Sequence, residues 1–202
     1  LKTAVANAGG TLVAVTDNPL DATWDDQPAP PLGAVTTQPL EYAGKPSEEK
    51  REGIAKSLRD AKTDAALLTL PESIAWLLNI RGSDVPHTPF PHAFAMLNND
   101  GHVELFIDRR KFTPDIDAWL GNHVTVRPQE ELGDHLKAQK GKRIQIDPAT
   151  ASSWAFDRLT EGGAKIVRAP DPVLLPKACK NPTELDGTRR AHLRDGVALS
   201  RF

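Results

Sequence analysis

Cysteine is nearly absent: Cys179 stands alone, so no disulfide can form within the chain and small disulfide-stapled secreted scaffolds are excluded. A reducing, cytoplasmic setting fits that composition. Long apolar runs are also missing. None approaches the roughly 18 residues that span a bilayer, so no membrane partner is expected. The opening LKTAV has neither the basic nor the hydrophobic segment of a secretory leader, and with no methionine at position 1 the natural N-terminus is expected upstream of Leu1. Charge of one sign is not in excess. The formal net charge is -2, and the Lys and Arg residues are interleaved with acids rather than clustered, which argues against nucleic acid as a partner. Signature motifs are lacking as well. Gly9-Gly10 and Gly162-Gly163 make no dinucleotide or P-loop fingerprint, and Ser83, Ser152 and Ser153 have no nucleophile-elbow context.

What is present is an ordinary globular composition, 39% hydrophobic and 26% charged over 202 residues, enough for one or two cores. Its 17 prolines help to locate the joints. Residues 1–8 read as the end of a helix stopped by Gly9-Gly10, and TLVAVT at 11–16 as a strand. Residues 27–39, with Pro28, Pro30, Pro31 and Pro39, read as an extended linker, so 1–39 is expected to be the tail of a preceding domain plus that linker.

From 40 to 176 helices and strands alternate. Helices are predicted over 47–61, from Pro71, near 114–120, around 129–138 and over 152–160, and strands over 65–69, 123–126, 143–146 and 164–167. Strands 93–97 and 103–107 flank Asn98-Asn99-Asp100-Gly101, a hairpin signal because these residues tolerate positive φ. The pattern predicts an α/β layered domain, and the hairpin makes its sheet mixed rather than purely parallel. Near the end, Asn181-Pro182-Thr183-Glu184 combines an N-cap, a proline at the first helical position and a capping-box acid. The helix it starts carries Leu185, His192 or Leu193, Val197 and Leu199 toward a core and reaches Phe202 without a stop signal. The expectation is that 177–202 opens a further domain that continues beyond it.

One run is distinctive. Residues 73–84 read SIAWLLNIRGSD and continue as VPHTP. This string resembles the signature of the middle domain of three-domain X-prolyl aminopeptidases (aminopeptidase P). Residues 26–31 (DQPAPP) are similar to that family's junction between first and second domains, 105–108 (LFID) to the strand after the signature loop, and 180–185 (KNPTEL) with 189–192 (RRAH) to the segment opening its catalytic domain. The resemblance implies a creatinase-like amino-terminal fold for 40–176, a mixed β-sheet with flanking helices. It also implies a parent metallopeptidase that releases the first residue from peptides whose second residue is proline. In that family a pita-bread catalytic domain binds two divalent metals, usually manganese, through two Asp, one His and two Glu, and a metal-bridging hydroxide attacks the scissile carbonyl. None of those ligands maps onto this sequence, so this chain alone is expected to bind no metal and to be inactive. Implied partners are proline-second peptides, the chain's own catalytic domain, and a second copy, since family members commonly form homodimers through the third domain.

Few residues here suggest chemistry directly. The six histidines are His87, His92, His102, His123, His135 and His192; the closest pair, His87 and His92, is interrupted by Pro89 and Pro91 and makes no metal pattern. The loop Arg81-Gly82-Ser83-Asp84-Val85-Pro86-His87 follows a helix end. The resemblance sets it near the catalytic-domain interface, which makes Arg81, Asp84 and His87 candidates for the substrate entrance. Arg81 and Asp84 pairing across the turn is the structural alternative. Arg109-Arg110-Lys111 reads as a solvated basic turn, and Trp76 and Trp119 as core residues. Beside the peptidase-fragment reading stand two others: a free-standing α/β ligand- or protein-binding module, and a small enzyme that would need Arg81, Asp84 and His87 to converge in one pocket.

Overall fold

The computed structural model describes residues 1–202 apart from Ala14 and Thr16, and for Lys2 the backbone alone. The chain separates into two compact units, Leu1–Pro31 and Leu32–Phe202. In the first, α1 (Lys2–Asn7) ends before Gly9, whose φ of 77° is the left-handed turn a glycine stop supplies. The strand expected over 11–16 includes Ala14 and Thr16, which lie outside the described residues; its described residues are not in a strand. Turns follow, and Asn18 accepts the Leu20 amide at 3.1 Å.

The second unit is built on a six-stranded sheet in the order β6-β5-β4-β2-β7-β8. Its strands are β2 (Ala65–Leu68), β4 (Phe94–Asn98), β5 (Val103–Phe106), β6 (Val124–Arg127), β7 (Arg143–Ile146) and β8 (Lys165–Arg168). β4 runs antiparallel to both β2 and β5, while β5–β6, β2–β7 and β7–β8 are parallel, so the sheet is mixed. Leu97 faces Val103 across the hairpin, and Gly101 turns it at a φ of 85°.

Period-two alternation sorts the strand side chains onto two cores. Ala66, Leu68, Ala95, Leu97, Val103 and Leu105 point to one face. There they meet Ile54 and Leu58 of α3 (Ser47–Asp60), Ile74, Leu77 and Leu78 of α4 (Pro71–Leu78), and Ile116 and Leu120 of α5 (Pro114–Leu120). Ala65, Leu67, Met96, Phe106, Ile144 and Ile146 point to the other face, against Leu132 and Leu136 of α6 (Leu132–Lys137) and Ala155 and Leu159 of α7 (Ser153–Glu161). With helices on both faces, β2 has no polar side to show water, and its AALL is buried throughout.

The later part of the stretch read as linker belongs to this fold. Val35 is fully buried, its amide donates to the Lys111 carbonyl at 2.8 Å, and β1 (Thr36–Thr37) pairs antiparallel with β3 (Ile80–Arg81). Two short helices, α2 (Leu40–Ala43) and α8 (Leu174–Ala178), precede α3 and the last helix. That last helix, α9 (Pro182–Arg201), starts with the capping box read from its sequence, and none of its residues is buried. Leu193 is 72% exposed and Leu199 76%, so within this chain its apolar positions face solvent.

Candidate functional site

The signature run folds as helix, turn and short strand. Pro71 opens α4, and Asn79 closes it in the left-handed conformation at φ 52° and ψ 47°, which Asn tolerates better than other non-glycine residues. The chain then drops directly into β3, whose pairing with β1 fixes Arg81. Lys50 reaches in from α3. Its ammonium donates to the Asn79 Oδ1 at 2.6 Å and the Trp76 carbonyl at 3.0 Å, and lies 4.1 Å from the centroid of the Trp76 ring. A cation at these last carbonyls suits the negative end of the helix dipole. Burial nevertheless lowers the Lys50 pKa from 10.5 to about 8, with the Glu184 carboxylate pulling the other way.

Glu184 belongs to α9 and ties that helix to the α/β unit. One oxygen accepts the Trp76 indole N–H at 3.0 Å and the other accepts the Asn181 amide at 2.9 Å, while the Asn181 side chain accepts the Glu184 amide at 3.0 Å. Asn181 Nδ2 donates to the Ala43 carbonyl at 2.8 Å. The next residue, Gly44, sits at a φ of 66°, and a Cβ there would run into the side chains of Asn181 and Thr183. Glycine therefore supplies both the turn and the room for α9 to close on it. Between α2, α4 and α9 lies a cavity of about 560 Å³ with Trp76, Tyr42, Phe90 and Arg81 on its walls and Lys177 and Lys180 among its cations.

The three candidate residues separate. Arg81 lines this cavity, half-buried, and donates to its own Ile80 carbonyl at 2.8 Å; burial pulls its pKa down, opposed by Glu184. Asp84 lies elsewhere with its side chain fully buried, accepting the Gly33 amide at 2.9 Å on one oxygen and the His92 amide and Lys111 ammonium, each at 2.6 Å, on the other. Burial alone would push its carboxyl up, but Lys111 and the two amides bring it below the usual carboxylate range. The pairing of Arg81 with Asp84 across the turn is not formed, because Lys111 occupies the carboxylate. His87 is exposed at the tip of a tight turn, at a φ of 63°, where the Thr88 amide donates to the Val85 carbonyl at 3.1 Å. Neither Asp84 nor His87 lines the cavity, so the three do not converge.

Other expectations change for physical reasons. Lys111 is buried rather than solvated, since a 3-10 turn over Arg109–Lys111 aims it inward while Arg109 and Arg110 stay outside on Asp117 and Asp108. Trp119 is 38% exposed and spends its indole N–H on the Leu78 and Asn79 carbonyls at the end of α4. Lys50, Trp76 and Glu184 were not singled out together by the sequence. A signal existed for Lys50: it lies four and eight residues before Ile54 and Leu58, on the same buried face of α3. Among the described residues no group of three or more His, Cys, Asp or Glu is arranged to hold a metal ion.

Comparison with known proteins bears on the fold. Residues 26–184 match the family described as Creatinase/Prolidase N-terminal domain. A probable Xaa-Pro aminopeptidase P of Leptosphaeria maculans is 34% identical over 207 residues, covering 98% of this chain and 34% of the relative. One from Coccidioides posadasii is 36% identical over 214 residues, covering all of this chain and 32% of the relative. The crystal structure of an X-prolyl aminopeptidase from Caenorhabditis elegans, described as a cytosolic enzyme with a di-nuclear active site, superposes with a TM-score of 0.86 at 29% identity, over 98% of this chain and 33% of that one. The chain thus spans about a third of the length of the relatives it matches.

Proposed function

This chain belongs to the Creatinase/Prolidase N-terminal domain family, and from that premise we propose that it is a non-catalytic part of a longer, cytoplasmic Xaa-Pro aminopeptidase. The proposed parent releases the first residue from peptides with proline second and depends on two divalent metals, manganese for preference, held by residues outside this chain. Its catalytic domain begins with α9, in a division at 1–31, 32–176 and 177–202 whose first boundary lies before the expected 39 because Val35 and β1 belong to the α/β unit. The single observation that carries the reading is the match along nearly the whole chain to relatives three times its length, all named as Xaa-Pro aminopeptidases.

Within that reading, the 32–176 domain supplies a wall of the substrate entrance and sets the direction in which α9 leaves. Arg81 is the entrance residue, because it alone of the three loop candidates reaches the cavity beside α9. Asp84 acts behind it as a positioning residue, clamping the loop through Gly33, His92 and Lys111. His87, exposed at the turn, is available to substrate or to the catalytic domain. The exposed apolar positions of α9 are where the rest of that catalytic domain packs, while Asn181 and Glu184 hold the helix to this one. In the longer protein, Arg81→Gln is expected to raise KM several-fold for proline-second peptides with kcat little changed; an unchanged KM would remove Arg81 from the entrance. A free-standing binding module gains no specific observation from the structure.

A further inference from the structure

We propose that the cavity beside Arg81 is a binding site for a monoanionic carboxylate carrying an apolar group, such as the C-terminal end of a short peptide. The charge balance asks for one. Lys50 and Arg81 are a buried and a half-buried cation, and among the described residues neither has a carboxylate within ion-pair distance. Glu184, the carboxylate whose charge both feel, already has its two oxygens taken by Trp76 and Asn181. The other cations around the cavity are paired or, for Lys180, exposed to solvent. Lys177 stands 3.9 Å from Glu72, Lys180 donates to the Lys177 carbonyl, and Arg190 pairs with Asp186 at 3.3 Å.

Arg81 differs from these in what it leaves open. The one hydrogen bond of its guanidinium among the described residues goes to the Ile80 carbonyl, whereas a guanidinium carries five N–H donors in a planar fork. That fork matches a carboxylate bidentately, and such charge-assisted pairs are about twice as strong as neutral ones. Lys50, by contrast, has two of its three donors committed and its remaining side turned to the Trp76 ring. The ligand's anion therefore falls to Arg81.

The walls select the rest of the ligand. Trp76, Tyr42 and Phe90 give aromatic surface, and a cavity of about 560 Å³ holds a group the size of one or two amino-acid residues. Glu41, Glu72 and Glu184 on the same walls repel a second negative charge, which favours a carboxylate over a phosphate dianion.

This extends the entrance reading of Arg81, but the test uses this chain alone, so it can fail while the longer protein's peptidase activity stands, and the reverse. N-acetylphenylalanine and its uncharged amide are titrated calorimetrically into the chain, with 3-phenylpropionate and inorganic phosphate as further probes. The free acid is expected to bind at least tenfold more tightly than the amide, and both organic acids more tightly than phosphate. N-acetylphenylalanine binding better than 3-phenylpropionate assigns a peptide terminus; equal binding assigns apolar carboxylates generally. Arg81→Gln is expected to bring the acid down to the level of the amide while the amide is unaffected, and Arg81→Lys to fall between. Equal binding of acid and amide by the unaltered chain overturns the proposal without reliance on any variant. So does the absence of binding by both at millimolar concentration, tighter binding of phosphate, or an acid preference that survives in a folded Arg81→Gln chain.

Discussion

Asp84 and Lys111 form a buried ion pair whose value to the fold comes from being complete. The carboxylate is satisfied by two amides and one ammonium, and the ammonium also lies 3.4 Å from the His92 carbonyl. Removing the carboxylate charge leaves Lys111 buried without its counter-ion, which costs about 3–5 kcal/mol. Asp84→Asn should therefore lower the denaturant midpoint sharply, and Asp84→Asn with Lys111→Met should recover part of the loss; equal losses in the two would deny the coupling. The pair also sets an acid limit. Because the Asp84 pKa is depressed on folding, its stabilisation is complete above the unfolded carboxylate pKa and disappears as pH falls through the folded value. Lys50 behaves in the opposite sense. Its pKa of about 8, against an ordinary 10.5, means the folded chain holds fewer protons than the unfolded one between those values, so stability rises with pH across that window. The rise is up to about 3 kcal/mol, and it should be missing from Lys50→Met when both proteins are unfolded in denaturant at pH 7.5 and pH 10. Asp84's role was hidden in the sequence because its partner lies 27 residues away, in a basic run that also contains two solvated arginines.

Elements with a strong local signal were legible. α3 and α4 follow from apolar spacing, the β4–β5 hairpin from its Asn-Asn-Asp-Gly turn, and the start of α9 from Asn181, Pro182 and Glu184. The mixed sheet followed from the same alternation and that hairpin, whereas the creatinase-like fold was implied only by the resemblance of residues 73–84 and the shorter matches. β1 and β3 were not legible, since two-residue strands have no period and their pairing joins positions more than 40 residues apart. The cavity could not be read for the same reason: its walls come from α2, α4 and α9, brought together by tertiary bonds of Asn181 to Ala43 and Glu184 to Trp76. Those bonds make α9 testable as an element. Asn181→Ala removes the cap and the link to Ala43, and a lost cap alone costs about 1 kcal/mol. Amide hydrogen exchange in the first turn of α9 should then speed several-fold while the central strands keep their protection. Unchanged exchange in that turn would mean that the cap does not hold the helix start.

At the scale of the molecule, the Leu32–Phe202 unit is a layered α/β body that ends in an exposed helix. Its core is closed on both faces of the sheet, and no residue of its last helix is fully buried, although Asn181 and Glu184 attach the first turn. That architecture supports the proposal that this domain positions another. The most direct measurement is cleavage of a proline-second peptide by the longer protein that contains this sequence, assayed with manganese and with a chelator, beside the 202-residue chain under the same conditions. The account predicts metal-dependent release of the first residue by the longer protein and none by the chain alone. Cleavage by the chain alone, or a longer protein that cleaves no such peptide with metal supplied, would contradict it.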